Sequence, residues 1–438
     1  MGVILAIIYF LVFCYVILRH PFFKKVKVIP TWLLIVFFAL KVFAGMVLIA
    51  IYTFYYTEPE YADVYKYFND ARVIFSALSE NPADYFRMAT AIGARTPHLD
   101  HYYEQMIFWE RPWFSPLYND NRLVIRFNAL VMLFSFGHIL VHNVFVNFLS
   151  FTGLVALFRF LAKYADPKKT LWIAPGLFLF PSLLFWGSGI LKEGLLLWAF
   201  GSWIFYADKI ITEKQIRIAP FFLFFSLILV LLKPYTIIIW VPCFTAFYLS
   251  RQKRQVKALL IYLVVFAVSA ILVYLQYSFF YGYDVLQLIA SKQHEFIEHS
   301  LFHEAGSLIH TNYLSAELKD MIPAFFVGLA GALFRPHIFE VYSVVTLIAA
   351  LENTLIAAMI LYGVFRFDRD SFSRYNIKWL GLCFFVLFMG FVGMISPAFG
   401  GLVRYKIPAL PFLWVFFVHM VKLPETKLLT EKLRAVSS

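Results

Sequence analysis

The chain has 438 residues, of which 62% are hydrophobic, 20% aromatic and only 15% charged, with a mean hydropathy of +0.75. This composition excludes an ordinary water-soluble globular protein, because no core of this length hides so much apolar surface. The net charge of +12 would suggest a nucleic-acid partner in a soluble chain, so its distribution has to be read first. Cys14, Cys243 and Cys383 all lie inside apolar runs and specify neither a disulfide framework nor a metal site.

A helix that crosses a bilayer needs about 20 apolar residues, with a range of about 17 to 25. Eleven runs qualify: 1–18, 31–56, 141–163, 171–188, 192–208, 217–232, 235–250, 257–277, 343–365, 378–397 and 404–421. The expected fold is therefore all-α, a polytopic bundle of about 11 spans. Segments 123–137, with Arg126 and Asn128, and 323–334, opening on Pro323, read as interfacial or re-entrant pieces; they would raise the count to 12 or 13 if they crossed.

Short cytoplasmic loops collect Lys and Arg. Segments 19–30, 163–170, 208–217, 251–257, 366–378 and 421–438 hold 22 of the 38 cations but only seven of the 26 acids. Eleven spans place all six on one side, with the N-terminus outside and the C-terminus in the cytoplasm. The charge excess is thus an orientation signal, and no nucleic-acid partner is expected. The cations of the first run follow it (Arg19, Lys24, Lys25, Lys27), so it is not a cleavable signal peptide. Residues 57–140 and 278–342 form two external segments, the first mixing aromatics and charges as interfacial amphipathic helices do. No repeat or linker divides residues 1–438, which read as one integral-membrane domain.

Cations outside the cytoplasmic pattern are the most informative residues. Lys192 lies in PSLLFWGSGILKEG at the outer end of a span, Lys233 in LLKPYT, Arg335 in ALFRPHIFE, and Arg404 with Lys406 in GGLVRYKIPALP. Snorkelling explains any one of them. Together, on one external face, they suit a phosphate or diphosphate at the headgroup level. Carboxylates for a general base follow the second span in TEPEYADVYKYFNDA. Glu60, Asp63 and Asp70 are the candidates, and Asp63, Tyr67 and Asp70 share one helical face. The competing reading of Asp63 is an acidic helix start beside a positive dipole end. Glu193 neighbours Lys192, although adjacent helical residues diverge, and Glu352 with Asn353 lies inside a span, where a carboxylate is functional or bonded to a neighbouring helix. His299 and His303 have i, i+4 spacing, but HEFIEH is one residue longer than the zinc-protease pattern, and no metal site is expected. No nucleotide-binding fingerprint occurs.

The order of ADVYKYFNDA, many spans and a late RYKIPALPF resembles the GT-C superfamily of integral-membrane glycosyltransferases. PSLLFWGSGILKEG and LFRPHIFEVY followed by ALEN resemble bacterial membrane proteins of surface-polysaccharide assembly. The resemblance implies a polyprenyl-phosphate-linked sugar donor, a glycan or lipid acceptor and a site at the outer face of the bacterial cytoplasmic membrane. It makes Asp63 the catalytic base and Arg404 a phosphate ligand. Two features depart from the family pattern: the acidic motif follows the second span instead of the first, and Asp63 is followed by Val64 and not by a second acid.

The expected function is therefore sugar transfer from a lipid-phosphate donor to an acceptor hydroxyl. Lys192, Lys233, Arg335, Arg404 and Lys406 would hold the donor phosphate, with Glu193, Tyr67, His337, Glu340, Glu352 and Tyr405 in support. The sequence specifies no cofactor; a divalent cation (Mg or Mn) is compatible. The nearest alternative is an O-antigen or exopolysaccharide polymerase or ligase, which shares the chemistry. A lipid-linked oligosaccharide flippase or transporter is the alternative of another class, and it predicts repeated halves that the sequence does not show.

Overall fold

Runs of apolar residues without internal helix breakers fold as helices because only intra-segment hydrogen bonding satisfies a backbone surrounded by hydrocarbon. The computed structural model describes residues 1–55, 62–110, 118–279, 284–302, 307–309, 311–424 and 431. Among them there are helices and two isolated β-bridges, Leu308 with Ala398 and Phe367 with Val421, but no strand. Among the described residues, seven helices are long and apolar enough to cross a membrane: Gly2–Arg19, Thr31–Phe54, Ile139–Tyr164, Lys192–Glu213, Gln255–Leu275, Val344–Phe365 and Ile377–Ile395.

The other four of the eleven expected runs fold differently. Run 171–188 is interrupted by Pro181 and forms two six-residue helices, Ile173–Phe178 and Pro181–Trp186; a residue preceding proline is disfavoured in helical conformation. Runs 217–232 and 235–250 give Ala219–Leu232 and Pro234–Ser250, of 14 and 17 residues. A 14-residue helix is about 21 Å long against a hydrocarbon core of about 30 Å. Run 404–421 is a bent pair, Phe399–Tyr405 and Leu410–Met420, turned by 63° and counted as an eighth span only if taken together.

The chain forms two compact units interleaved in sequence, so no linker marks their boundary. The first contains 1–114, 118–160 and 183–234. Here Asp63–Glu80 packs against Pro82–Thr90 and against Asn121–Ser135, the helix that contains most of segment 123–137. Its apolar stripe (Val64, Phe68, Ala71, Ile74) is buried while Asp63 occupies the first turn, where a carboxylate complements the helix dipole. Thr31–Phe54 approaches Ile139–Tyr164 closely at Gly45, where a Cβ would lie 2.0 Å from Asn143 Oδ1.

The second unit contains 115–117, 161–182 and 235–438. Ile377–Ile395 is packed between Leu318–Phe334 and Leu410–Met420. Segment 323–334 is the larger part of Leu318–Phe334, with Pro323 accommodated inside the helix. Gly328 and Gly393 let two backbones touch, since a Cβ on Gly393 would fall 1.9 Å from Gly328 O. Small residues at such crossings are what helix association in lipid favours.

Candidate functional site

Each cation singled out in the sequence sits at a helix end or break. Lys192 opens Lys192–Glu213 after the non-helical Gly187–Leu191 segment, and Lys233 separates Ala219–Leu232 from Pro234–Ser250. Arg335 caps the C-terminus of Leu318–Phe334, and Lys406 caps Phe399–Tyr405, whose last turn contains Arg404. Prolines 234, 336 and 408 follow at one or two residues, which explains why the helices stop there. Three of these cations therefore occupy C-cap positions, next to carbonyls that no helical N–H reaches.

In the first unit, Lys192 Nζ donates to Asp120 Oδ1 at 2.7 Å, and Lys233 Nζ lies 3.3 Å from Glu193 Oε1. The adjacent Lys192 and Glu193 thus point to different partners, as the helical rotation between neighbours requires. Glu193 and Lys233 are 0% and 4% exposed, a fully desolvated pair. Deeper in this unit Lys41, buried on Thr31–Phe54, donates to Gly187 O at 2.7 Å and to Ser188 Oγ at 3.2 Å. Ser150 Oγ also donates to Gly187 O, and Asn147 Nδ2 donates to Ser188 O at 2.8 Å. The carbonyls freed by the Gly187–Leu191 break are satisfied in this way.

Two of the candidate carboxylates stand on the helix Asp63–Glu80, in different surroundings. Asp70 is 1% exposed and accepts the N–H groups of Ile107 at 2.9 Å and Phe108 at 2.7 Å. Burial raises its pKa to about 6, against the lowering effect of those N–H groups and of Lys66. Asp63 is half-buried and acts electrostatically on Lys66, which lies between the two acids with its ammonium 4.6 Å from the Phe108 ring centre. Desolvation lowers the Lys66 pKa, and Asp63 and Asp70 oppose it. Tyr67 donates to Asn121 Oδ1 at 3.1 Å and packs on Phe108. Glu60 lies outside the described residues, as does His303.

In the second unit, Arg335 Nε donates to Glu340 Oε1 at 2.7 Å, and the His337 N–H donates to Glu340 Oε2 at 3.1 Å. Burial pushes the Glu340 pKa up, but Arg335 and His337 hold its carboxyl below the ordinary range. Lys406 is 0% exposed, donates to Asn353 Oδ1 at 2.6 Å and lies 3.2 Å from Glu352 Oε1. The other oxygen of Glu352 accepts the Ser182 N–H at 2.5 Å, and Asn353 donates to Pro336 O. The buried Glu352 carboxylate thus holds together three separated pieces of chain. Tyr405 packs on Phe296.

The predicted cations therefore divide between the units: Lys192 and Lys233 in the first, Arg335, Arg404 and Lys406 in the second. The acids that pair with Lys192 and Lys406 come from positions 72 and 54 residues away, and Asp120 and Lys41 had no local signal to mark them. Among the described residues, no group of three or more His, Cys, Asp or Glu is placed to hold a metal. No protein-family model, curated protein or solved structure matches the chain.

Proposed function

We propose that the protein is a membrane-embedded glycosyltransferase of GT-C-like type. In this reading it moves a sugar from a polyprenyl-phosphate-linked donor to an acceptor hydroxyl at the outer face of a bacterial cytoplasmic membrane, in surface-polysaccharide or glycolipid assembly. The observation that supports it most is the recurrence of a cation at a helix break in all four segments whose cations depart from the cytoplasmic pattern. Lys192 and Lys233 are the phosphate-holding candidates of the first unit, and Arg335, Arg404 and Lys406 those of the second. Each of the four whose ion pair is described above would exchange a carboxylate for a phosphate oxygen on loading.

Among the described candidates for the base, Asp63 is favoured. Both oxygens of Asp70 already accept backbone N–H groups, whereas Asp63 is partly open to solvent. Asp63 would take the acceptor hydroxyl proton as the new glycosidic bond forms; the bond from the anomeric carbon to the phosphate oxygen breaks, and its electron pair leaves on the phosphate. A cation there binds the developing charge more tightly than the ground state. The test is transfer from a synthetic polyprenyl-phosphate sugar by purified protein, with Asp63→Asn expected to lose about a hundredfold or more in rate. A growing ladder of products would instead identify a polymerase.

The transporter reading has one feature in its favour, the discontinuous helices at Gly187–Leu191 and Lys406–Ala409, a construction that transporters use at substrate sites. It predicts lipid-linked saccharide movement across liposomes without covalent change, undiminished in Asp63→Asn.

A further inference from the structure

In the first unit, a cavity of about 510 Å³ opens among Ala91, Arg95, Tyr103, Trp109, Arg122 and Arg126. Its wall is built around Trp109, 3% exposed, on which Tyr103 stacks at 4.5 Å with 7° between the rings. The Arg122 and Arg126 guanidinium carbons lie 5.0 and 4.9 Å from the Trp109 ring centre. These arginines are one helical turn apart on Asn121–Ser135, an arrangement in which like charges repel. Arg122 is compensated, donating to Glu110 Oε1 at 2.5 Å and to Trp109 O at 2.9 Å. Arg126 is not compensated by a carboxylate among the described residues. Its Nε donates to Met88 O at 2.9 Å, its side chain is also hydrogen-bonded with Tyr118, and Tyr103 and Arg122 lie nearby. Burial, together with Arg122, pulls its pKa below the ordinary value. Arg95 and Asp100 are exposed at the rim.

We infer that this cavity binds a saccharide that carries a carboxylate or a phosphate. The Arg126 guanidinium, which pairs with no carboxylate among the described residues, suits an oxyanion, and the ring faces of the tyrosines beside it suit a sugar. The volume falls in the range of small-molecule sites, about 300 to 1,000 Å³, and far exceeds one inorganic phosphate. The described lining combines Arg95, Arg122 and Arg126 with the rings of Tyr103, Trp109 and Tyr118, which suits a sugar acid. Asp70 contributes from behind, because its hold on the Ile107 and Phe108 amides fixes the loop that presents Trp109. The inference stands on this cavity alone and not on the transferase reading.

Binding of D-glucuronate, D-glucose 6-phosphate, D-glucose and inorganic phosphate to the full chain in phosphatidylcholine nanodiscs, without turnover, tests it. Both acidic sugars are expected to bind saturably and at least about tenfold more tightly than glucose or inorganic phosphate. Arg126→Gln should weaken them about tenfold, and so, to a lesser degree, should Arg95→Gln, whose exposed position spares the fold; Arg217→Gln should not. Equal binding of glucose, equal binding of inorganic phosphate, or affinity unchanged in both Arg126→Gln and Arg95→Gln would overturn the inference. So would Arg126-dependent competition by phosphatidylglycerol in the nanodisc, which would make the cavity a lipid headgroup site.

Discussion

Asp70 and Asp63 stand seven residues apart on the same helix and differ in what their carboxylates face. The spacing that placed Asp63, Tyr67 and Asp70 on one helical side is legible in the sequence; the backbone amides that occupy Asp70, 37 and 38 residues further on, are not. The raised pKa of about 6 has a consequence of definite sign. The folded state holds the Asp70 proton up to about pH 6 and the unfolded chain only to about pH 4, so this group's contribution to stability falls as pH rises between those values. Thermal unfolding from pH 4 to 7 should therefore decline more steeply for the native chain than for Asp70→Asn, which keeps one acceptor; parallel curves would refute the assignment. Lys41 is the opposite case, a buried cation that composition does not distinguish from the apolar run around it, because its acceptors at Gly187 and Ser188 lie 146 and 147 residues away.

Helix ends were the readable feature at the next scale, since Pro234, Pro336 and Pro408 each announce a stop just after a cation. What the stops do was not readable, because the partners of the cations are non-local. Glu352 and Lys406 form a buried pair, and removing one partner of such a pair costs on the order of 3–5 kcal/mol. Lys406→Met should lower the unfolding midpoint severely, and adding Glu352→Gln, which still accepts the Ser182 N–H, should recover much of the loss; an additive double variant would show the pair to be uncoupled. The crossing of Leu318–Phe334 with Ile377–Ile395 gives a second prediction. An added methyl on Gly393 meets the Gly328 carbonyl, so Gly393→Ala should cost about 1–3 kcal/mol by the same measurement. Run 171–188 shows the limit of hydropathy alone, since average apolarity does not register that Pro181 divides it into two short helices.

For the whole molecule, composition alone implied an all-helical chain with many apolar helices, and the described residues contain seven that are long enough to span, or eight with the bent pair. Counting eleven took every apolar run as one straight span, whereas 171–188 and 404–421 are broken or bent and 217–232 and 235–250 give shorter apolar helices, so the count of eleven is not confirmed. Orientation rests on the 22 cations of the six basic segments. It predicts that single cysteines introduced near Lys214 react with an impermeant thiol reagent only from the cytoplasmic side and those near Ile92 only from the outside; the reverse pattern would invert the proposed topology. The interleaving of the two units explains why no boundary is visible in the sequence, as each is assembled from distant segments. The central claim is that the first unit contains a base for sugar transfer at Asp63. Purified native and Asp63→Asn protein, given a polyprenyl-phosphate sugar and an acceptor, should bind the donor equally well while the variant loses about a hundredfold or more in transfer. Undiminished transfer by Asp63→Asn would contradict it.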